Sequence, residues 1–187
     1  MTSTSCARRT PFVIGLISLA CLSGAGVALC AQTPDHPAVE GVKNFTRIDD
    51  QFATGGATSP SAMPTLASLG YKTVINLRRS SEQGADVDAE RASAEANGLR
   101  YVSLPFDGKH PDGATVEAFL RLIDDSAGQR VFVHCSSGNR TGALWLVKRV
   151  VVDGWAIESA AAEARAAGLS DEVLEAWVAG YSQGRLR

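Results

Sequence analysis

The chain has 187 residues, of which 45% are hydrophobic, 20% charged and 6% aromatic, a composition typical of one globular domain with a sizeable core. This composition excludes a disordered chain, a collagen and a multi-span membrane protein. The formal net charge is −2 and the basic residues are interspersed with acidic ones, so the chain lacks the basic surface expected of a nucleic-acid-binding protein.

Residues 1–31 have the pattern of an export signal. They contain Arg8 and Arg9 but no acidic residue, and an apolar run follows that ends in small residues of the kind signal peptidase accepts. We therefore expect a signal peptide, cleavage close to Gln32, and a periplasmic or secreted protein. The alternative is an uncleaved anchor, because the run is about long enough to span a bilayer. Only in that case would the membrane be a partner.

The rest of the chain is predicted to form one domain. Residues 32–41 are polar and contain two prolines, which indicates a linker, and residues 42–184 form the domain. Short apolar segments alternate with longer segments of helical periodicity, which predicts an α/β fold of three layers with a largely parallel central sheet flanked by helices. Strands are predicted at 45–48, 51–54, 73–77, 101–105 and 131–134, and helices at 61–69, 85–97, 115–127, 141–152, 156–167 and 172–181.

Cys135 is the one cysteine outside the predicted leader, which holds Cys6, Cys21 and Cys30. No internal disulfide can form after cleavage. A single thiol in an oxidising compartment is a liability unless it is buried or used. Its neighbours in the sequence indicate that it is used.

The residues after Cys135 are predicted to form an anion-binding loop between a buried strand and an apolar helix. The N–H groups of this small-residue turn and of the first helical turn point into one concavity. Gly138 permits a left-handed backbone, and Arg140 can bind two oxygens of a tetrahedral anion. The same positive field stabilises a thiolate, so the sequence predicts that Cys135 is a nucleophile at neutral pH.

This loop resembles the signature of the cysteine-based protein tyrosine and dual-specificity phosphatases, which reads His-Cys, two residues, Gly, two residues, Arg-Thr-Gly. Here only Asn139 separates Gly138 from Arg140, so the loop is Cys-x4-Arg instead of Cys-x5-Arg. Over nearly all of residues 42–180 the chain is similar to the phosphatase-like domain called beta-lactamase hydrolase-like, a family that tolerates the short loop. Upstream of the loop, segments 54–56, 70–78 and 98–105 also resemble the corresponding core of the tyrosine and dual-specificity phosphatases.

The resemblance implies a dual-specificity-phosphatase-like fold and a phosphatase that needs no metal and no cofactor. Its substrate would be a phosphorylated small molecule or a phosphoprotein, attacked to give a cysteinyl-phosphate, and we expect a monomer. The implied catalytic residues are Cys135, Arg140, Thr141, which assists release of the thiolate, and the general acid Asp107, with Asp112 as its rival. The implied substrate-binding residues are His134, Ser136, Ser137, Gly138 and Asn139.

Two other functions remain open from the sequence. The short loop removes one N–H donor, so we expect weak phosphatase activity. Rhodanese sulfurtransferases use a similar Cys-x4-Arg loop to carry a persulfide, although the predicted order of elements favours the phosphatases. A catalytically inert, anion-binding pseudophosphatase is the third reading. Arg78 is predicted either to face the ligand-binding edge of the sheet or to form a surface salt bridge.

Overall fold

A computed structural model of the chain describes residues 34–185. Within that range the strands are β1 (Thr46–Arg47), β2 (Phe52–Gly55), β3 (Tyr71–Asn76), β4 (Arg100–Ser103) and β5 (Arg130–His134). The helices are α1 (Met63–Ser68), α2 (Val87–Ala96), α3 (Gly113–Asp125), α4 (Asn139–Val151), α5 (Ile157–Ala166) and α6 (Glu172–Arg185), and a 3₁₀ turn (Pro60–Ala62) precedes α1.

The five strands form one sheet in the order β1-β2-β5-β3-β4. Strands β2, β5, β3 and β4 are parallel, and β1 pairs antiparallel to β2 at the edge. Asn76 at the end of β3 therefore lies beside Ser103 of β4 and His134 of β5. The carboxyl ends of parallel strands are where open α/β sheets bind ligands, and Cys135 directly follows the central strand at this edge.

Strand β5 is buried on both faces, which explains its continuous apolar sequence. Val131 and Val133 pack into the larger core under α3 to α6, where Phe52 stacks on Trp145 with ring centroids 3.9 Å apart. Phe132 points to the other face and packs with aromatic side chains there. The helices thus cover both faces of the sheet, and the predicted fold class is confirmed.

Three local differences from the prediction have simple causes. The helix expected at 61–69 is divided into the 3₁₀ turn and α1, both of which begin at or next to a proline. Helix α2 begins later than expected because Asp86 caps it by accepting the N–H of Ala89. In the predicted linker, Asp35 pairs with Arg47 beside β1 and Val39 is buried, so part of that segment belongs to the folded domain.

The predicted signal peptide lies outside the described residues. No helix among residues 34–185 is long and apolar enough to cross a membrane.

Candidate active site

The loop after β5 is held so that its carbonyl groups face outward and its N–H groups face inward. Ser136 O accepts the N–H of Ala57 at 2.9 Å, and Ser137 O accepts Asn44 Nδ2 at 3.1 Å. Because the C=O and the next N–H of a trans peptide point in opposite directions, the N–H groups of Ser137 and Gly138 turn toward the inside of the loop. Gly138 N donates to Cys135 Sγ at 3.2 Å.

Close packing of glycines supports the loop from two sides. Gly138 has a φ of 104° and precedes the first residue of α4. A side chain at this position would be strained by that positive φ, and its Cβ would lie 3.3 Å from Ala167 O. A Cβ on Gly56 would lie 3.0 Å from Ser136 O. The predicted strand, small-residue turn and helix start are therefore present.

Arg140 is anchored at one end of its guanidinium group. Nη1 lies 3.0 Å from both Leu77 O and Phe106 O, which follow β3 and β4, and 2.7 Å from Glu82 Oε1. Nη2 donates to Glu82 Oε2, also at 2.7 Å. These contacts leave the Nε–H and the second Nη2–H, which share the other edge, to bind two oxygens of an anion. Burial lowers the pKa of Arg140, but its hydrogen bonds to Glu82 and the proximity of Cys135 raise that pKa overall, so the group stays charged.

Glu82 is a site residue that the sequence analysis missed. Burial raises its pKa, but the hydrogen bonds of Arg140 and of the Arg79 backbone, with the charges of Arg140 and Arg78, lower it to about 2. The sequence signal that could have identified Glu82 is its place after Arg78 and Arg79, in the segment that follows β3 at the ligand-binding edge of the sheet. Arg78 itself is buried, donates to the backbone of Gln83 and Gly84, and has its Nε 3.6 Å from Glu82 Oε2. Of the two alternatives for Arg78, the salt bridge is therefore present, but it is buried and not at the surface.

The residues on both sides of Asp107 approach Arg140, whereas Asp112 caps a helix. Asp107 follows Phe106, whose carbonyl binds Arg140, and a Cβ on Gly108 would lie 3.3 Å from Arg140 Cγ. Asp112 accepts the N–H and the hydroxyl of Thr115 at 2.8 and 2.9 Å and so caps α3. The rival general acid is therefore a helix cap.

Three charged or polar groups contact the carboxylate of Asp107. Lys109 N donates to Oδ1 at 2.9 Å, Arg79 Nη1 donates to Oδ2 at 2.9 Å, and His110 Nδ1 lies 3.3 Å from Oδ2. The backbone of Lys109, His110 and then Arg79 lower the pKa of Asp107 below its usual range. The carboxylate is thus the favoured form in this arrangement.

Three predicted site residues use their side chains in other ways than expected. The Thr141 hydroxyl donates to Gly138 O at 2.6 Å and not to Cys135 Sγ, so it closes the loop. Asn139 Oδ1 accepts the N–H groups of Ser170 and Asp171 and ties α4 to the turn before α6. The His134 side chain is fully buried beneath the loop. His134 and Asn139 therefore position the loop, while the exposed Ser136 and Ser137 lie at its surface.

No group of three His, Cys, Asp or Glu side chains in residues 34–185 is arranged to hold a metal ion.

A largely parallel sheet with a cysteine after its central strand, an anion loop and an arginine in the next helical turn defines the class of cysteine-based phosphatases with a dual-specificity-phosphatase-like fold. Residues 32–175 match the family described as "DSP-PTPase phosphatase fused to NAD+ Kinase", and the chain belongs to this family. The predicted resemblance is therefore confirmed.

Relatives in sequence point the same way. The chain is 34% identical over 106 residues to the beta-lactamase hydrolase-like protein of Xylella fastidiosa, which is 56% of this chain and 24% of that protein. It thus spans about a quarter of the length of that relative. It is 29% identical over 137 residues to the dual specificity protein phosphatase TpbA of Pseudomonas aeruginosa, covering 72% of this chain and 59% of TpbA.

Solved structures agree on the fold. The crystal structure of P. aeruginosa TpbA matches with a TM-score of 0.61 and 27% identity over 77% of this chain and 89% of TpbA. A putative phosphatase from Shewanella putrefaciens matches with a TM-score of 0.64 and 23% identity, over 77% of this chain and 96% of that chain, which shows the fold alone.

Proposed function

We propose that this protein is an exported cysteine-dependent phosphatase that hydrolyses phosphate monoesters through a cysteinyl-phosphate intermediate. The observation that carries the proposal is the inward-facing loop, in which Gly138 N points at Cys135 Sγ while Arg140 presents a free edge. Such a site can bind the oxygens of a phosphate monoester and hold its phosphorus in position for attack by the thiolate. A Cys-to-Ser variant of TpbA has been solved in complex with pTyr, and this supports a phosphorylated phenol as one substrate class.

The residues divide the reaction into two steps. In the first, Cys135 Sγ attacks phosphorus, the P–O bond to the leaving group breaks, and a proton from Asp107 neutralises the leaving oxygen. The loop N–H groups and Arg140 hold the three remaining oxygens. In the second, a water molecule attacks phosphorus and loses a proton to the solvent, the S–P bond breaks, and phosphate and the thiolate are released, while Asp107 regains its proton from the solvent.

Turnover of an aryl phosphate tests the proposal. We expect Cys135→Ser and Arg140→Ala to abolish phosphate release, and mass spectrometry of the wild type quenched during turnover to find phosphate on the Cys135 peptide. Arg121→Ala is the matched control, because Arg121 is exposed on α3, away from the loop, and should leave turnover unchanged.

The other two readings are outcomes of the same experiment. If phosphate release is undetectable while thiosulfate leaves a sulfur on Cys135 that cyanide removes, the protein is a sulfurtransferase. If neither group reaches Cys135 although sulfate still protects it from alkylation, the protein is an inert anion-binding pseudophosphatase.

Export is the remaining part of the proposal, and it rests on the pattern of residues 1–31. We expect the intact mass of the protein recovered from cells to correspond to a chain that begins close to Gln32. A product that retains Met1 and partitions with membranes would contradict cleavage and favour an anchor.

A further inference from the structure

Four buried polar side chains form a cluster directly beneath the catalytic loop. They come from four different elements, namely β5, α2, β4 and β3, and are His134, Glu90, Tyr101 and Asn76. Each is at most 7% exposed. Apart from the position that His134 gives to the loop, the proposed reaction uses none of them.

Glu90 is the centre of this cluster. Its Oε2 accepts hydrogen bonds from Asn76 Nδ2 and from the Tyr101 hydroxyl, both at 2.8 Å, and lies 3.2 Å from His134 Nε2. Burial, with the charge and hydrogen bond of Glu90, raises the pKa of Tyr101 far above its usual value, although Asn76 opposes this. The phenol therefore stays protonated and remains a donor to Glu90.

One branch of the cluster leads to the nucleophile. His134 immediately precedes Cys135, and its ring stacks on Phe132 with the ring planes 8° apart. The backbone of His134 is fixed by Leu77, whose N–H donates to His134 O at 2.9 Å. A contact that holds the His134 ring consequently restrains the start of the loop.

The other branch leads to the arginine. Asn76 Oδ1 accepts the N–H of Arg78 at 2.7 Å, and the Arg78 side chain shapes the turn that carries Glu82. Glu82 and Leu77 O in turn anchor Arg140. The same carboxylate therefore contacts one residue that sets the position of Cys135 and another that sets the position of Arg140.

Packing alone does not account for these polar groups. Glu90 Oε1 and the ring nitrogens of His134 are buried without a hydrogen-bond partner among the described residues, because Nε2 is close to Glu90 but not aligned with it. Unsatisfied buried polar atoms are unfavourable, and apolar side chains could fill the same space. Their presence under the reacting residues favours a functional reason.

We propose that Glu90 is a positioning residue, whose carboxylate lies against the His134 ring, accepts a hydrogen bond from Asn76, and so holds Cys135 and Arg140 in their mutual arrangement. This inference rests on the proposed phosphatase function. Glu90 touches neither the substrate nor the reacting atoms, so its effect acts through these two neighbours.

Substitution in the full-length protein tests the proposal. Glu90→Gln keeps the size of the side chain and an acceptor for Asn76 and Tyr101 but removes the charge facing His134. We expect kcat on an aryl phosphate to fall by about 10–100-fold, as when other groups that orient catalytic residues are lost, with KM changed by less than about threefold. Glu95→Gln, an exposed position on the same helix, is the control and should change neither constant.

A second measurement reports anion binding by the loop and does not depend on turnover. Iodoacetamide alkylation of Cys135 is followed by mass spectrometry of its peptide, with and without sulfate. Sulfate should protect Cys135 in the wild type and in Glu95→Gln, and protect it at least threefold less in Glu90→Gln, on the order of the loss of one oriented contact.

The outcomes separate this inference from the proposed function. A wild type that releases no phosphate refutes the phosphatase, while sulfate protection still decides the role of Glu90. A folded Glu90→Gln protein with wild-type kcat and wild-type protection overturns the positioning role. If Glu90→Gln does not fold, the test uses Tyr101→Phe, which deletes one hydrogen-bond donor to the same Glu90 oxygen. A lower kcat at unchanged KM in that variant supports the proposal, and a wild-type kcat refutes it.

Discussion

At the residue scale, Glu82 and Arg140 form a bidentate ion pair in the candidate active site. The pKa of Glu82 is about 2, against an ordinary value of 4.5, because the arginine contacts outweigh burial. A carboxyl whose pKa is depressed on folding stabilises the protein above its unfolded pKa, and this contribution is lost as the pH falls through the folded pKa. Glu82 therefore contributes to stability above about pH 4.5 and loses that contribution between 4.5 and 2.

Glu82→Gln is expected to lower the free energy of unfolding at pH 7 by about 2–3 kcal/mol. The difference from the wild type should narrow as the pH falls below about 4.5, because the wild-type carboxylate then becomes protonated. The difference in the free energy of unfolding is measured by urea unfolding, followed by circular dichroism, from pH 7 to below about pH 4.5. Glu95→Gln is the control. A difference that is independent of pH would show that the ion pair is not its source.

The effect of replacing Asp107 on turnover is expected to depend on the leaving group of the substrate. Aryl oxide ions leave without a proton, whereas alkoxides need one. Asp107→Asn should therefore change aryl phosphate turnover little and lower alkyl phosphate turnover by about 10²–10⁴-fold. Asp112→Asn, which retains a helix-capping side chain, is the control. If instead Asp112→Asn impairs alkyl phosphates selectively, Asp112 is the acid.

The neighbours of Asp107 should set the pH dependence of this step. Lys109 N–H, His110 and Arg79 lower the pKa of Asp107, so less of the acid form is present at neutral pH. Arg79→Gln removes a cation 2.9 Å away and should raise that pKa, extending alkyl phosphate hydrolysis to higher pH. His110→Gln, which leaves Glu82 untouched, should shift the kcat profile in the same direction. An equal shift with aryl phosphates would argue against Asp107 as the titrating group.

At the scale of elements, the first turn of α4 is fixed by its close approach to the backbone of the last turn of α5 and of the residues after it. A Cβ on Gly142 would lie 2.7 Å from Ala164 O and 2.8 Å from Leu169 N, distances at which the backbone must shift. Gly142→Ala should therefore lower the free energy of unfolding by about 1–3 kcal/mol or more. Its control is Gly180→Ala in α6, which meets nothing within 4 Å and should raise that free energy by about 0.5–1 kcal/mol. Denaturant unfolding of both variants measures the contrast, and equal effects would refute the packing argument.

At the scale of the whole molecule, oxyanion binding should stabilise the fold, because the loop joins β5 to α4 and is anchored by β3 and by the turn after β4. A ligand that binds only the folded state at about 100 times its Kd adds about 2.7 kcal/mol. We expect sulfate to raise the melting temperature of the wild type more than sodium chloride of equal ionic strength does. Arg140→Ala should lose this difference, while Gly180→Ala should keep it. The same sulfate effect in Arg140→Ala would place the anion elsewhere.

The sequence by itself determined the features that depend on consecutive residues. The apolar segment of β5, the turn with Gly138 and the start of α4 follow one another along the chain, so their local preferences already specify a strand, an anion loop and a helix. The alternating apolar periodicities likewise predicted the α/β class, since a strand buried on both faces and an amphipathic helix have different patterns.

Only the tertiary structure decided which distant side chains complete the site. Glu82 is 58 positions from Arg140, and the two meet because β3 lies beside β5 in the sheet. The same applies to Glu90, which reaches His134 from α2. Asp107 and Asp112 occupy one polar loop, and only the structure shows that the neighbours of Asp107 approach Arg140 while Asp112 caps α3. Strand order and side-chain direction are properties of the packed whole, because burial and long-range pairing select them after the local elements have formed.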